Sequence, residues 1–222
     1  MESTSPNDLP LNDLPQNDLP QNDLPQQLAW QAEFIVNNLQ QTDYQHRQNI
    51  DVTDGIYDCD CSGFVSFVLN AVSPDHYAMV PREPGLRPLA FDYYALLAGL
   101  KLEARAGWLG IHFLRHARRG DIIAWQLHDK IERGKDTGHV IFVAETPRVL
   151  DSGIFAVRVY DSAELPHFED TRGDGPEQFP NGVGSGFINF QVDADGAPTA
   201  FQFGPSDRFH TFPIAIGRIE PL

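Results

Sequence analysis

The sequence predicts an α+β fold in which N-terminal helices pack on an antiparallel β-sheet. Up to Leu100 the apolar residues recur at helical spacing. From Asp121 onward they form short continuous or alternating runs of strand length. Helices first and strands afterwards is the order of an α+β domain, not of an alternating one. With 41% hydrophobic and 11% aromatic residues, the 222-residue chain can form a sizeable core in one large domain plus a tail.

Residues 7–26 are four tandem pentapeptides, Asn-Asp-Leu-Pro-Leu once and Asn-Asp-Leu-Pro-Gln three times. A proline at every fifth position opposes both helix and ladder, and the apolar spacing fits neither period. Residues 1–27 are therefore expected to form a disordered or extended tail, and residues 28–222 the folded domain. Leu28, Phe34, Ile35 and Leu39 predict a first helix running to about Gln41, followed by a polar stretch through Gly55. Phe64, Val65, Val68, Leu69 and Val72 give a second helix over 61–72 an apolar face, and Pro74 ends it. Residues 75–88 read as loop, and Leu89 to Leu100 as a third helix rich in aromatics. Strands are expected at 121–125, 139–144, 155–161, 187–192, 199–203 and 212–219, with Asp193-Ala194-Asp195-Gly196 as a hairpin turn.

The chain carries 31 acidic and 16 basic side chains, a formal charge of −15, and such a field repels nucleic acid and anionic membrane surfaces. No apolar run is long enough to span a membrane, and the first residues lack a basic and apolar leader. The two cysteines, Cys59 and Cys61, are too close for a structural disulfide. These features fit a cytoplasmic protein, with signal-independent export left open.

Asp60-Cys61-Ser62-Gly63-Phe64-Val65 is the most informative stretch. Asp60 is a good N-cap, which places Cys61 in the first turn of a helix, where free amides and the dipole favour thiolate. A buried structural cysteine is the competing reading of the same residues. A thiolate nucleophile needs a histidine to deliver and recover a proton. Of eight histidines, His139 follows Gly138 at the start of a strand, rigidly held yet able to face a cleft. A third group should orient the imidazole. Asp161 ends the next strand and lands beside His139 if the two strands pair; His167 and Asp136 are the weaker candidates for that role.

These residues resemble the nucleophile motif of the NlpC-type cysteine peptidases, an Asp-Cys-Ser-Gly followed by apolar residues. The family's next elements, a Gly-Asp-apolar strand and a Gly-His-Val strand, match Gly120-Asp121-Ile122-Ile123 and Gly138-His139-Val140 in the same order. A polar orienting residue follows on the next strand, where Asp161 stands. The resemblance covers roughly residues 30–165. It implies a papain-like fold, a cysteine hydrolase with Cys61, His139 and Asp161 as catalytic residues, and attack on an amide or isopeptide carbonyl. Many members act on peptidoglycan stem peptides, so a peptide or peptidoglycan fragment is the implied substrate, with no metal and no cofactor. The backbone amide of Cys61 is implied in the oxyanion hole. Members that cut cell walls are usually exported and often carry a wall-binding module, neither of which is visible here. Many carry a tyrosine some way before the cysteine that helps bind substrate. Tyr57 stands too close and Tyr44 rather far, so neither takes that role. An amidase, a deamidase or an acyltransferase on a small molecule or protein uses the same groups. An effector delivered into a competitor's periplasm and a catalytically silent binding module are further alternatives.

Other signals are weaker. The C-x-C spacing lacks a second pair for zinc. Asp193 and Asp195 lack the remaining ligands of a calcium loop. Arg172-Gly173-Asp174 is short enough to arise by chance. The glycine-rich segment from Glu169 to Gly186 reads equally as a lid over the cleft or as a plain connector.

Overall fold

A computed structural model describes residues 23–127, 136–173, 179–205 and 207–222. The expected tail over residues 1–22, His128 and Asp174 lie outside the described residues. The elements are α1 (Leu24–Asn38), β1 (Asn49–Asp51), β2 (Ile56–Asp58), α2 (Cys61–Val72), α3 (Pro74–Met79), α4 (Ala90–Ala98), β3 (Trp108–Gly110), β4 (Ile122–Gln126), β5 (Gly138–Val143), β6 (Arg148–Asp151), β7 (Ile154–Ala163), β8 (Gly182–Val192), β9 (Pro198–Gln202) and β10 (Ile214–Ile219). The order is that of an α+β domain, and the large sheet is antiparallel throughout, in the order β3-β10-β4-β5-β7-β8-β9 with β6 paired on β7.

Strands β4 and β5 are continuous apolar runs because both faces of the sheet are covered. Ile122, Ala124, Val140, Phe142 and Tyr160 meet Leu28, Ile35, Phe64, Val65 and Val68 of α1 and α2 on one face. Ile123, Trp125, Ile141, Val143, Val157, Val159, Ile188, Phe190 and Phe201 form a second cluster on the other face. That second core needs no helices because the sheet curls until β9 approaches β10.

Several sequence expectations are corrected. Helix α1 begins four residues before Leu28: the Asp23 side chain accepts from the Gln26 amide at 3.3 Å, and proline stands in the first turn, where its missing N–H costs nothing. It ends at Asn38 rather than near Gln41. Helix α2 keeps its predicted bounds, but Pro74 opens the short α3 inside the region read as loop from residue 75. Strand β8 begins at Gly182, five residues before Phe187, because three glycines at alternate positions hide its strand pattern. Strands β1, β2, β3 and β6 are too short, or in the case of β6 too exposed, to leave a periodic signal. The turn at 193–196 is as expected: the Asp193 carboxylate accepts the amides of Asp195, Gly196 and Ala197.

Candidate active site

Strands β5 and β7 pair at Phe142↔Tyr160 and Val143↔Val159, and the Ala144 amide just past β5 donates to the Arg158 carbonyl at 2.8 Å. Toward Gly138 the two strands part, and the N-terminus of α2 occupies the opening. Ser162 Oγ on β7 donates to the Cys59 carbonyl at 2.6 Å, and Cys61 Sγ lies 4.0 Å from the Gly138 carbonyl oxygen on β5. A gap between two strands thus brings a helix-borne cysteine to a strand-borne histidine.

Cys61 is the first residue of α2. Its N-cap, Asp60, accepts the Gly63 amide at 2.7 Å and the Ser62 hydroxyl at 3.1 Å through Oδ1. Asp60 Oδ2 takes the Arg87 guanidinium and, at 3.2 Å, His46 Nδ1. The cap carboxylate is therefore fully engaged, and the first turn is fixed from two directions. Cys61 is 3% exposed, and it lines a cleft of about 250 Å³ with Tyr44, His46, Arg87, Leu89, Asp136 and Thr137. Cys59 points into the core, and burial pushes its thiol well above the free-cysteine value. The larger depression on the surface, about 530 Å³ around Arg115, Val149 and Asp193, is lined by none of these groups.

His139 projects from the face of β5 opposite α1 and α2, because Val140 and Phe142 take the helix side. Its ring lies 5.1 Å from that of Trp125 and 5.3 Å from that of Phe203. Nε2 meets Asp161 Oδ2 at 2.6 Å, which leaves Nδ1 unclaimed by Asp161, while the Cys61 sulfur lies against the carbonyl of the preceding residue, Gly138. Burial alone lowers the imidazole's basicity; the charge on Cys61 and the hydrogen bond and charge of Asp161 outweigh it and raise the ring to about 10. Gly138 permits this placement: its φ is 142°, and a Cβ there would sit 1.9 Å from the Trp125 carbonyl oxygen.

Asp161 is wholly buried on β7. Burial raises a carboxyl's pKa, but His167, Arg172 and the hydrogen bonds of both histidines hold this one well below the usual range. The structure thus brings Cys61, His139 and Asp161 together. Of the weaker third candidates, His167 touches Asp161, whereas Asp136 accepts the Gly138 amide at 3.2 Å and lines the cleft.

Sequence reasoning missed three groups. Tyr44 lines the cleft despite its distance in sequence; burial and the nearby Cys61, Asp60, Asp136 and Glu164 charges push its phenol up, so it remains a donor. Arg87 stands in a loop with no periodic signal. Arg172 belongs to the discounted Arg-Gly-Asp tripeptide, and it is buried against Asp161. Only the closeness of His167 and Arg172 to Asp161 in sequence could have suggested the last.

No family model matches the chain. The chain is similar to the uncharacterized protein R653 of Acanthamoeba polyphaga mimivirus, 27% identical over 225 residues that cover 87% of this chain and 96% of the relative. A match of that extent includes both the helical and the strand halves.

Proposed function

We propose that this chain is a papain-like cysteine hydrolase of the NlpC type that cleaves a peptide-type amide, with peptidoglycan stem peptides as the first substrates to test. The observation that carries the reading is the line Cys61–His139–Asp161, in which a helix N-terminus presents the sulfur to an imidazole whose far nitrogen is held by a buried carboxylate. The order of motifs around Cys61, Asp121 and His139 supports the same family.

The reaction follows from the roles available. The Cys61 thiolate attacks the carbonyl carbon, and the oxyanion faces the Cys61 backbone amide, with the Tyr44 hydroxyl as a second donor in the cleft. The carbon–nitrogen bond breaks as His139 gives its proton to the leaving amine, leaving a thioester on Cys61. Water then attacks the thioester, His139 takes its proton, and the thiolate is released with the acid product. The same three groups serve an amidase, a deamidase or an acyltransferase, and the acceptor of the acyl group distinguishes them.

The test is intact-mass analysis of the protein incubated with stem peptides and a wider peptide panel. An acyl adduct on Cys61, with amine release absent from Cys61→Ala, is expected. A folded protein that gives neither adduct nor turnover across the panel contradicts the reading and leaves a binding module. Tyr44→Phe should lower kcat by about 10²-fold with little change in KM if its hydroxyl meets the oxyanion.

A further inference from the structure

The resemblance that suggested the site ends near residue 165, yet the chain just beyond it closes around Asp161. His167 Nε2 reaches Asp161 at 2.9 Å (Oδ2) and 3.1 Å (Oδ1), and Arg172 Nη2 reaches Oδ1 at 3.1 Å. Together with His139, three donors saturate one carboxylate that has no access to water. The donors are themselves fixed. Asp170 accepts the His167 amide through Oδ2, and accepts both the Arg172 amide and Nε through Oδ1 at 2.8 Å. Arg172 Nη1 donates to the Gly182 carbonyl at 2.9 Å. The His167 ring stacks on Phe203 at 5.5 Å and 10°.

The facing strand is shaped for this segment. A Cβ at Gly184 would lie 2.7 Å from the Arg172 side chain, and one at Gly186 would lie 2.7 Å from His167 Cβ. The close approach of residues 167–172 to β8 therefore requires the alternate glycines that hid this strand in the sequence. One further detail separates His167 from an ordinary core residue. Its Nδ1 is buried with no hydrogen-bond partner among the described residues. An unpaired buried nitrogen costs stability, so the ring's polar role rests on Nε2 alone.

We propose that His167 is a positioning residue, a second imidazole whose Nε2–H, with Arg172, keeps Asp161 an oriented anion beneath His139. This rests on the proposed thiol chemistry and deepens it: the segment after residue 165 completes the site rather than merely connecting strands. The groups that bear on Asp161 are His139 from β5, with Cys61 of α2 behind it, and His167 and Arg172 from the segment after β7, with Asp170 behind them. Removing a donor makes a buried carboxylate easier to protonate, and a protonated Asp161 no longer supports the imidazolium. The consequence lies on the acid side of the profile.

The experiment is the rate of iodoacetamide alkylation of Cys61 against pH in the full chain, for wild type, His167→Phe and His167→Gln. Phe keeps the stacking on Phe203 and removes the donor; Gln restores an N–H near the Nε2 position. The acid limb should move to higher pH in His167→Phe, with an alkylation rate near pH 5 lower by on the order of tenfold, and should return toward wild type in His167→Gln. An unchanged limb in a folded His167→Phe protein overturns the proposal, as does a Gln variant no better than Phe. If wild type itself shows an ordinary thiol titration, the hydrolase reading fails first, and the two failures are told apart. Should His167→Phe not fold, proton NMR of wild type decides: the His167 Nε2 proton should be observed as a slowly exchanging downfield resonance, and a His167 ring proton in fast exchange with water overturns the assignment.

Discussion

At the scale of single residues, the proposed thiol chemistry requires His139 to keep its proton while Cys61 gives up its own. The imidazole is raised above its ordinary value, so the imidazolium, and the stability its partners confer, is fully present below about 6.5 and is lost as pH rises through about 10. The alkaline limb of kcat/KM should therefore fall near pH 10. Asp161→Asn removes the charge that helps raise the ring and leaves at most a weaker, neutral hydrogen bond, so that limb should move to lower pH and the rate should fall. A pH–rate profile of Asp161→Asn that superimposes on wild type would show that Asp161 does not act through His139. Gly138→Ala places a Cβ against the Trp125 carbonyl at a backbone angle that side chains avoid. It should lower the thermal midpoint and the activity together, whereas Gly99→Ala, with only ordinary contacts, should change neither by much. Cys61 and His139 were legible because each sits at a boundary between local elements, just inside a capped helix and at a strand start; Asp161 was legible as the acid of the next strand, which runs two residues further, to Ala163, than the sequence predicts. Tyr44 and Arg87 were not, because loops that return to a site leave no period in the sequence.

At the scale of elements, α2 carries most of the design. Asp60 caps its first turn and anchors Arg87, and Gly63 leaves a would-be Cβ 3.1 Å from that of Cys59. Asp60→Ala should cost about 1 kcal/mol from the lost cap alone, with a further loss from the stranded Arg87, measured by urea unfolding. A variant as stable as wild type would mean that the cap contributes nothing. The helix itself was readable to the residue because its apolar face, its N-cap and the proline beyond its end agree. Strand β8 was not, because Gly182, Gly184 and Gly186 trade strand propensity for close approach to Thr42, Arg172 and His167. The local rule failed there because a tertiary contact had overridden it.

At the scale of the whole molecule, the strand order could not be read from the sequence, since pairing across long separations depends on contacts that no local window contains. The last strand is the clearest case. β10 does not lie at an edge; it sits between β3 and β4, and Arg218 on it reaches the buried Asp121 with two donors at 2.7 and 2.8 Å. Ending the chain at Pro213 removes an interior strand and leaves Asp121 buried without its charged partner, with only the Arg118 amide among the described residues still donating to it. The truncated chain should lose its cooperative thermal transition by circular dichroism. A truncated protein that still melts cooperatively would show that the sheet closes without β10. The fold class itself was legible because the change from helical to strand period divides the chain near its middle.

The Cys61–His139 pair is tested most directly by the pH dependence of Cys61 alkylation by iodoacetamide in wild type and in His139→Ala. Cys59, wholly buried, should remain unmodified in both. A thiolate that persists well below the free-cysteine value of about 8.5 in wild type, and is lost in His139→Ala, is the predicted result. Ordinary thiol titrations that coincide in the two proteins would contradict an activated pair and, with it, the hydrolase.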